Sequence, residues 1–87
     1  MKAPKDRIKH RLKIIKGQIS GLEKMVEEDR YCIDIITLSL SIERALKELD
    51  QLVLEHHLKN CAVADMKAGR VNKVSQELTD IFSIARK

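Results

Sequence analysis

The chain has 87 residues, a formal net charge of +4 and 44% hydrophobic residues, with one Pro, three Gly and only two aromatic side chains. Such a composition leaves little material for strands and turns, and no apolar run approaches the roughly 18 residues that a membrane span needs. We therefore expect an all-α protein in which residues 1–87 form a single helical domain. We also expect no membrane partner, no signal peptide and a cytoplasmic location.

The first predicted helix runs from about Lys5 to Glu28. Its apolar residues recur at alternating spacings of four and three, which is a heptad pattern. These residues are Ile8, Leu12, Ile15, Ile19, Leu22 and Val26. Gly17 and Gly21 lie inside this helix at a cost of about 1 kcal/mol each relative to Ala, which favours a close approach by another helix over simple tolerance.

The same segment is strongly basic. Residues 1–16 hold seven Lys or Arg against one acid, Asp6, whereas the rest of the chain carries a net charge of −2. This segregation favours nucleic acid as the partner over an anionic membrane surface or a merely solvated face. The residues predicted to contact DNA are Arg7, Lys9, Arg11, Lys13, Lys16 and Gln18. His10 is assigned to this basic face, and no zinc-finger, basic-zipper or convincing helix-turn-helix pattern predicts sequence-specific readout.

The second predicted helix begins near Tyr31 or Cys32 and continues to about Ala64. Apolar side chains from Ile33 to Leu58 lie on more than one of its faces. One short amphipathic helix and a tail cannot cover all of these faces, so the pattern predicts a second chain.

A third helical pattern follows the breaker Gly69 and extends from Val71 to Ala85. A helix of this length is only marginally stable alone. We therefore expect it to pack on the other helices.

Three residues of the second helix can bind a soft metal: Cys32, His57 and Cys61. His57 and Cys61 are four residues apart, which places them on one face of an α-helix about 6 Å from each other. Cys32 lies roughly 37 Å from His57 along an unbroken helix and cannot join them within one chain. A common site therefore requires the Cys32 of a second, antiparallel copy.

Thiolate and imidazole suit Cu(I) or Zn(II) and disfavour Mg or Ca. Taken alone, a helical Cys is more often a small buried hydrophobe. The His57 and Cys61 pair, together with the need for a second chain, favours the metal interpretation. Tyr31 and Glu77 are candidates to orient the imidazole through its other nitrogen, although either could simply begin or solvate a helix. The adjacent His56 points about 100° away around the helix and is left out.

Over nearly its whole length the chain resembles the copper-sensing repressor (CsoR/RcnR) family of bacterial transcription regulators. Residues 11–21, RLKIIKGQISG, are similar to the first-helix signature of that family, and residues 57–61, HLKNC, are similar to its ligand motif. The spacing of Cys32, His57 and Cys61 resembles the ligand set of the copper sensors, and Tyr31 and Glu77 match the pair that supports it.

The resemblance implies an antiparallel four-helix bundle formed by a homodimer, with a short third helix per chain and pairing of dimers into a homotetramer. It also implies binding of operator DNA and release from it when Cu(I) binds. The absence of a histidine before His10 and the presence of Cys61 separate the chain from nickel and cobalt sensors. His57 separates it from persulfide sensors, and Cys61 separates it from formaldehyde sensors.

One position departs from the family pattern. Some members carry a basic residue linked to DNA contact where this chain has Glu48, and Arg44 and Lys47 are the candidate substitutes. The alternatives left open are a thiol redox or persulfide sensor that uses Cys32 and Cys61, a sensor of Zn(II) or Ni(II), and a structural helix-bundle adaptor. No nucleophile and base pair or phosphate-binding loop predicts an enzyme.

Overall fold

The computed structural model describes residues 4–86, which contain helices and no strand. Helix α1 spans Lys5–Glu27 and α2 spans Cys32–His56. A π-helical segment, His57–Ala62, leads directly into α3, Val63–Lys67, and α4 spans Val71–Ala85. The predicted all-α fold of three helical stretches is confirmed, with the π-helical segment inside the second stretch as the unpredicted feature.

The chain forms two compact units, one that ends at Leu54 and one that begins at Glu55. The boundary falls near the end of α2, and the prediction of a single domain over residues 1–87 stays a prediction. In the part of the chain that the structure describes, no helix combines the length and apolar character needed to cross a membrane.

The first unit contains an antiparallel helical hairpin. Arg11 of α1 and Glu48 of α2 are 37 residues apart in sequence yet their side chains lie 3.4 Å from each other. The midpoint between them falls in the short connection after α1, so the two helices run in opposite directions. Ile8, Ile15 and Ile42 are the buried apolar residues of this hairpin.

The heptad pattern of α1 is only half buried within the chain. Ile8 and Ile15 are shielded, whereas Leu12, Ile19 and Val26 are 40%, 48% and 56% exposed. A single neighbouring helix covers one edge of a heptad stripe, which explains why alternate positions remain open. Apart from the adjoining residues and backbone of α1 itself, no described atom lies within 4 Å of a Cβ built on Gly17 or Gly21, so the close approach expected there is not made within residues 4–86.

Helices α1 and α3 end in the same way, in a Schellman motif. After α1, the N–H of Asp29 donates to the carbonyl of Val26 and the N–H of Arg30 donates to that of Met25. After α3, Gly69 donates to Met66 and Arg70 donates to Asp65. The residue in the left-handed conformation is Asp29 (φ 52°) in the first case and Gly69 (φ 84°) in the second. Both motifs satisfy carbonyls that the helix end would leave unpaired.

Candidate metal centre and basic face

The π-helical segment carries two of the three predicted metal ligands. His57 is its first residue and Cys61 its fifth. We predicted an ordinary α-helical turn here, and that local expectation was wrong. A π-helix pairs residues five apart and has a wider turn, so residues four apart still lie near one face. Such segments are rare and recur at functional sites.

Asn60 compensates for part of the altered backbone pairing. Its Nδ2 donates to the carbonyl oxygen of His56 at 2.9 Å, where an α-helix would place the backbone N–H of the same residue. Nδ2 also lies 3.2 Å from Nδ1 of His56. His56, which is not among the predicted metal ligands, thus has Asn60 as a neighbour for both its ring and its carbonyl oxygen.

Glu77 of α4 lies beside the imidazole of His57. Its Oε2 is 3.7 Å from His57 Nε2, while its Oε1 is 4.0 Å from Lys73 Nζ. The first distance is too long for a formed hydrogen bond but close enough for a small side-chain movement to make one. Glu77 Oε1 is buried and has no hydrogen-bond partner among the described atoms. A carboxylate at Nε2 leaves Nδ1 as the nitrogen that can bind a metal.

An ionic cluster that we did not anticipate joins α3 to α4. The side chain of Asp65 is 14% exposed and accepts hydrogen bonds from Arg70 Nε at 3.0 Å and Lys73 Nζ at 3.3 Å. These two hydrogen bonds, that from Arg70 first, lower the pKa of Asp65 below its ordinary value. Because Lys73 also faces Glu77, the cluster positions the carboxylate beside His57. The sequence feature that could have predicted this cluster is an acidic residue shortly before Gly69 and two basic residues shortly after it.

Cys32 and Tyr31 lie at the start of α2. Cys32 is its first residue, and both Cys32 and Cys61 are exposed free thiols. The carbonyl of Tyr31 accepts the N–H groups of Asp34 and Ile35 at 3.0 and 3.2 Å, and its side chain is exposed. Within residues 4–86 of a single chain, no three His, Cys, Asp or Glu side chains converge on a point that could hold a metal.

The six residues predicted to contact DNA fall into two groups. The exposed group consists of Arg7, Lys9, Lys13 and Lys16. Arg11 and Gln18 are partly buried and follow Ile8 and Ile15 by three residues, at the edge where α1 meets α2. Gln18 Oε1 is buried without a hydrogen-bond partner among the described atoms. Around the helix, Arg7 lies on the same side as Arg11 and Gln18, whereas Lys9, Lys13 and Lys16 lie together on another side. We call these six residues together the basic face of α1.

Comparisons with known proteins agree with the helical architecture and identify a family of transcriptional repressors. A family model described as "Metal-sensitive transcriptional repressor" matches residues 4–84. The copper-sensing transcriptional repressor CsoR of Bacillus subtilis is 40% identical over 78 residues, which cover 90% of this chain and 77% of that protein. The copper-sensing transcriptional repressor RicR of Mycobacterium tuberculosis is 34% identical over 85 residues, covering 94% of this chain and 88% of that protein.

A solved structure gives the same result in three dimensions. The crystal structure of the copper-sensing repressor CsoR with Cu(I) from Geobacillus thermodenitrificans matches with a TM-score of 0.91 and 36% sequence identity, covering all of this chain and 91% of that one. The resemblance drawn from residues 11–21 and 57–61 is thereby confirmed. The family comprises transcriptional repressors, in agreement with the expectation that the chain is not an enzyme. This chain belongs to the family of metal-sensitive transcriptional repressors.

Proposed function

We propose that the chain is a Cu(I)-responsive transcriptional repressor that binds operator DNA without metal and releases it when Cu(I) binds. The observation that carries the proposal is the placement of His57 and Cys61 on one π-helical turn with Glu77 Oε2 at 3.7 Å from His57 Nε2. Relatives named as copper-sensing repressors, and a structural neighbour described with Cu(I), support copper as the metal.

The donor chemistry fits that ion. Bound Cu(I) would supply a soft Lewis acid that prefers thiolate and imidazole to carboxylate oxygen. His57 and Cys61 would bind from one chain, and Glu77 would accept the Nε2–H of His57 so that Nδ1 is free for the ion. Both cysteines are free thiols and exposed, so neither is withheld by a disulfide.

The third ligand, Cys32, would come from the partner subunit. The helical rise between Cys32 and His57 argues for this arrangement, since one chain offers only two soft donors near each other. Exposed apolar residues on α2 also favour a partner: Ile33, Ile36 and Leu40 are 56%, 52% and 59% exposed. We therefore propose a homodimer with two shared sites that pairs into a homotetramer.

Operator DNA is the proposed partner of the basic face of α1. Arg7, Lys9, Lys13 and Lys16 are exposed and able to contact phosphates along a groove. Arg11 and Gln18, which lie on the same side of α1 as Arg7, would add contacts there. A repressor that acts on operator DNA works in the cytoplasm.

Coupling between metal and DNA follows from the shared site. A ligand held by two chains binds one arrangement of the subunits better than another, and that difference in affinity is what weakens DNA binding. Tyr31 and Glu77 would take part by orienting the ligating side chains. The direct test is a Cu(I) titration of the protein bound to a fluorescent duplex, which the wild-type protein has first selected from a random-sequence library.

Two outcomes of that titration matter. We expect DNA affinity to fall by about 5-fold to 150-fold when Cu(I) saturates the site. Tighter DNA binding with Cu(I) would contradict the proposal. Release by peroxide or persulfide, but not by Cu(I), would instead identify a thiol sensor that uses Cys32 and Cys61, and release by Zn(II) or Ni(II) alone would identify another metal.

A mixing experiment tests whether the site is shared between chains. Cys32→Ala and Cys61→Ala are each expected to lose tight Cu(I) binding. Denaturing the two variants and refolding them together should restore it in the heterodimer, which keeps one site with Cys32 from one chain and both His57 and Cys61 from the other. If the mixture stays inactive while each variant folds, the three ligands do not form an intersubunit site.

A further inference from the structure

Arg11, which lies on the same side of α1 as Arg7, is paired with an acid of the neighbouring helix. Its Nη1 lies 3.4 Å from Oε2 of Glu48, across the hairpin formed by α1 and α2. The other basic residues differ in this respect. Among residues 4–86, no carboxylate lies within 4.0 Å of Arg7, Lys9, Lys13 or Lys16. Arg11 is therefore the one cation among the residues predicted to contact DNA that already has a counter-ion.

This pair contributes little to holding the hairpin together. The side chains of Arg11 and Glu48 are 38% and 59% exposed, and the N···O distance is at the long end of the hydrogen-bond range. Exposed pairs of this kind are solvated and add little to stability. Burial of Ile8, Ile15 and Ile42 is the stronger reason for the hairpin to form. We therefore looked to nucleic-acid binding, rather than to stability, for the role of this ion pair.

We propose that Glu48 sets the strength and the salt dependence of nucleic-acid binding by acting as the counter-ion of Arg11. This inference rests on the proposed function, because it takes the basic face of α1 to be the surface that contacts DNA. Approaching phosphates require Arg11 either to leave Glu48 or to bring that carboxylate close to the phosphate. In both cases the DNA complex is weaker than the basic residues alone would make it.

Weaker binding suits a repressor that a metal must release. The coupling between two ligands is limited to a modest factor in affinity, about 5-fold to 150-fold. When the metal lowers DNA affinity by a fixed factor, a repressor whose metal-free affinity is already moderate dissociates from its operator. A repressor that binds DNA much more tightly would stay largely bound after the same reduction. Glu48 would thus tune the protein so that a moderate structural response to the metal suffices.

Glu48→Gln in the full-length protein tests the inference, with the library-selected duplex as the probe. Removing the counter-ion should raise metal-free DNA affinity about fivefold at physiological salt and steepen the dependence of log affinity on log salt by about 0.9, the value for one additional phosphate contact. Glu43→Gln is the matched control, since Glu43 is exposed on the same helix and is in no ion pair among the described residues. It makes the same change in net charge and should leave affinity nearly unchanged.

The double variant shows whether Glu48 acts through Arg11. Arg11→Gln alone should weaken DNA binding, and in that background Glu48→Gln should bring no gain. An equal gain for Glu43→Gln, or a gain that persists without Arg11, would overturn the inference in favour of a general charge effect. If Glu48→Gln lowers the melting temperature without tightening DNA binding, the ion pair between Arg11 and Glu48 has only a structural role.

The proposed function and this inference fail in different ways. If the wild-type chain enriches no duplex, or if Arg11→Gln binds as tightly as the wild type, the DNA interface itself is wrong. If Arg11→Gln weakens binding while Glu48→Gln does not strengthen it, the interface stands and only the role of Glu48 is rejected.

Discussion

The two ring nitrogens of His57 have different surroundings, and this difference determines how the residue can work. Nε2 faces Glu77, and Nδ1 is left for a ligand. Replacing Glu77 by Gln keeps the shape of the side chain but weakens the acceptor that fixes the ring. Such supporting partners typically contribute about 10-fold to 100-fold to metal affinity or activity.

For Glu77→Gln we therefore expect Cu(I) to bind about tenfold more weakly, so that a higher Cu(I) concentration is needed to release DNA, while metal-free DNA binding stays unchanged. A Cu(I) titration of the DNA complex followed by fluorescence anisotropy measures both quantities. Asp80→Asn removes a carboxylate from the same helix, three residues further on, and serves as the control. Release of DNA by the Glu77 variant at the same Cu(I) concentration as by the wild type would show that His57 needs no carboxylate partner.

Asp65 predicts a dependence of stability on pH. Hydrogen bonds from Arg70 and Lys73 hold its pKa below the ordinary value in the folded chain. A depressed folded pKa means that the contribution to stability is complete above the unfolded value, about 3.9, and is lost as the pH falls through the folded value. Asp65→Asn should therefore be less stable than the wild type at pH 7, with a difference that diminishes below about pH 4.

Urea unfolding followed by circular dichroism at pH 7 and pH 3 measures this difference. Asp50→Asn is a suitable control, because Asp50 is exposed on α2 and is in no ion pair within residues 4–86. A deficit of the Asp65 variant that is equally large at both pH values would mean that the carboxylate charge is not what stabilises the α3 to α4 junction.

At the scale of the helices, the sequence predicted their bounds to within a few residues. The change from heptad spacing to polar residues after Val26, and Gly69 before Val71, are local signals that do not depend on the rest of the fold. The π-helical segment had no such signal, because HLKNC satisfies α-helical and π-helical registers equally. The pairing of Asp65 with Arg70 and Lys73 was missed because it depends on the tight turn at Gly69, which places the start of α4 against α3.

Two glycines in different backbone conformations should respond in opposite ways to the same substitution. Gly69 has φ 84°, where a Cβ is strained, so Gly69→Ala should lower the free energy of unfolding by about 1 kcal/mol. Gly17 lies inside α1 and, apart from the adjoining residues and backbone of that helix, no described atom lies within 4 Å of its Cβ position, so Gly17→Ala should raise it by about 1 kcal/mol.

Chemical denaturation of both variants at one protein concentration measures whether the free energy of unfolding falls for Gly69→Ala and rises for Gly17→Ala. Asp29→Gly tests the other Schellman motif, where an L-residue occupies the left-handed position at φ 52° and glycine should be tolerated or stabilising. A destabilising Gly17→Ala would indicate that another chain approaches α1 at that point.

At the scale of the whole molecule, the exposed apolar side chains are the main feature left unexplained by one chain. Leu40 and Phe82 are 59% and 62% exposed, although residues of these types are usually buried. If copies of the chain cover these surfaces, unfolding is linked to dissociation, and the melting temperature should rise with protein concentration. A scan at protein concentrations about a hundredfold apart tests this linkage.

Leu40→Lys should abolish that dependence and lower the melting temperature, since a charge replaces an apolar contact. Glu43→Lys, on the same helix, is the control for added positive charge. A melting temperature independent of concentration in the wild type would argue for a monomer. The sequence pattern predicted that a second chain is needed. It could not predict which apolar faces remain for that chain to cover, because this depends on which residues the hairpin itself buries, such as Ile8 and Ile15.

The π-helical segment also bears on how a ligand motif of this kind can change. A π-turn differs from an α-turn by one inserted residue, and its hydrogen-bond geometry is less favourable. Deleting a single residue such as Asn60 would remove that extra residue and restore an ordinary helix, with little change in the register of the residues that follow. Cys61 would then follow His57 by three residues, which keeps both side chains on one side of the helix but changes the direction in which the thiol points. The segment thus allows the geometry of the donor pair to change by one residue without rebuilding the helix around it.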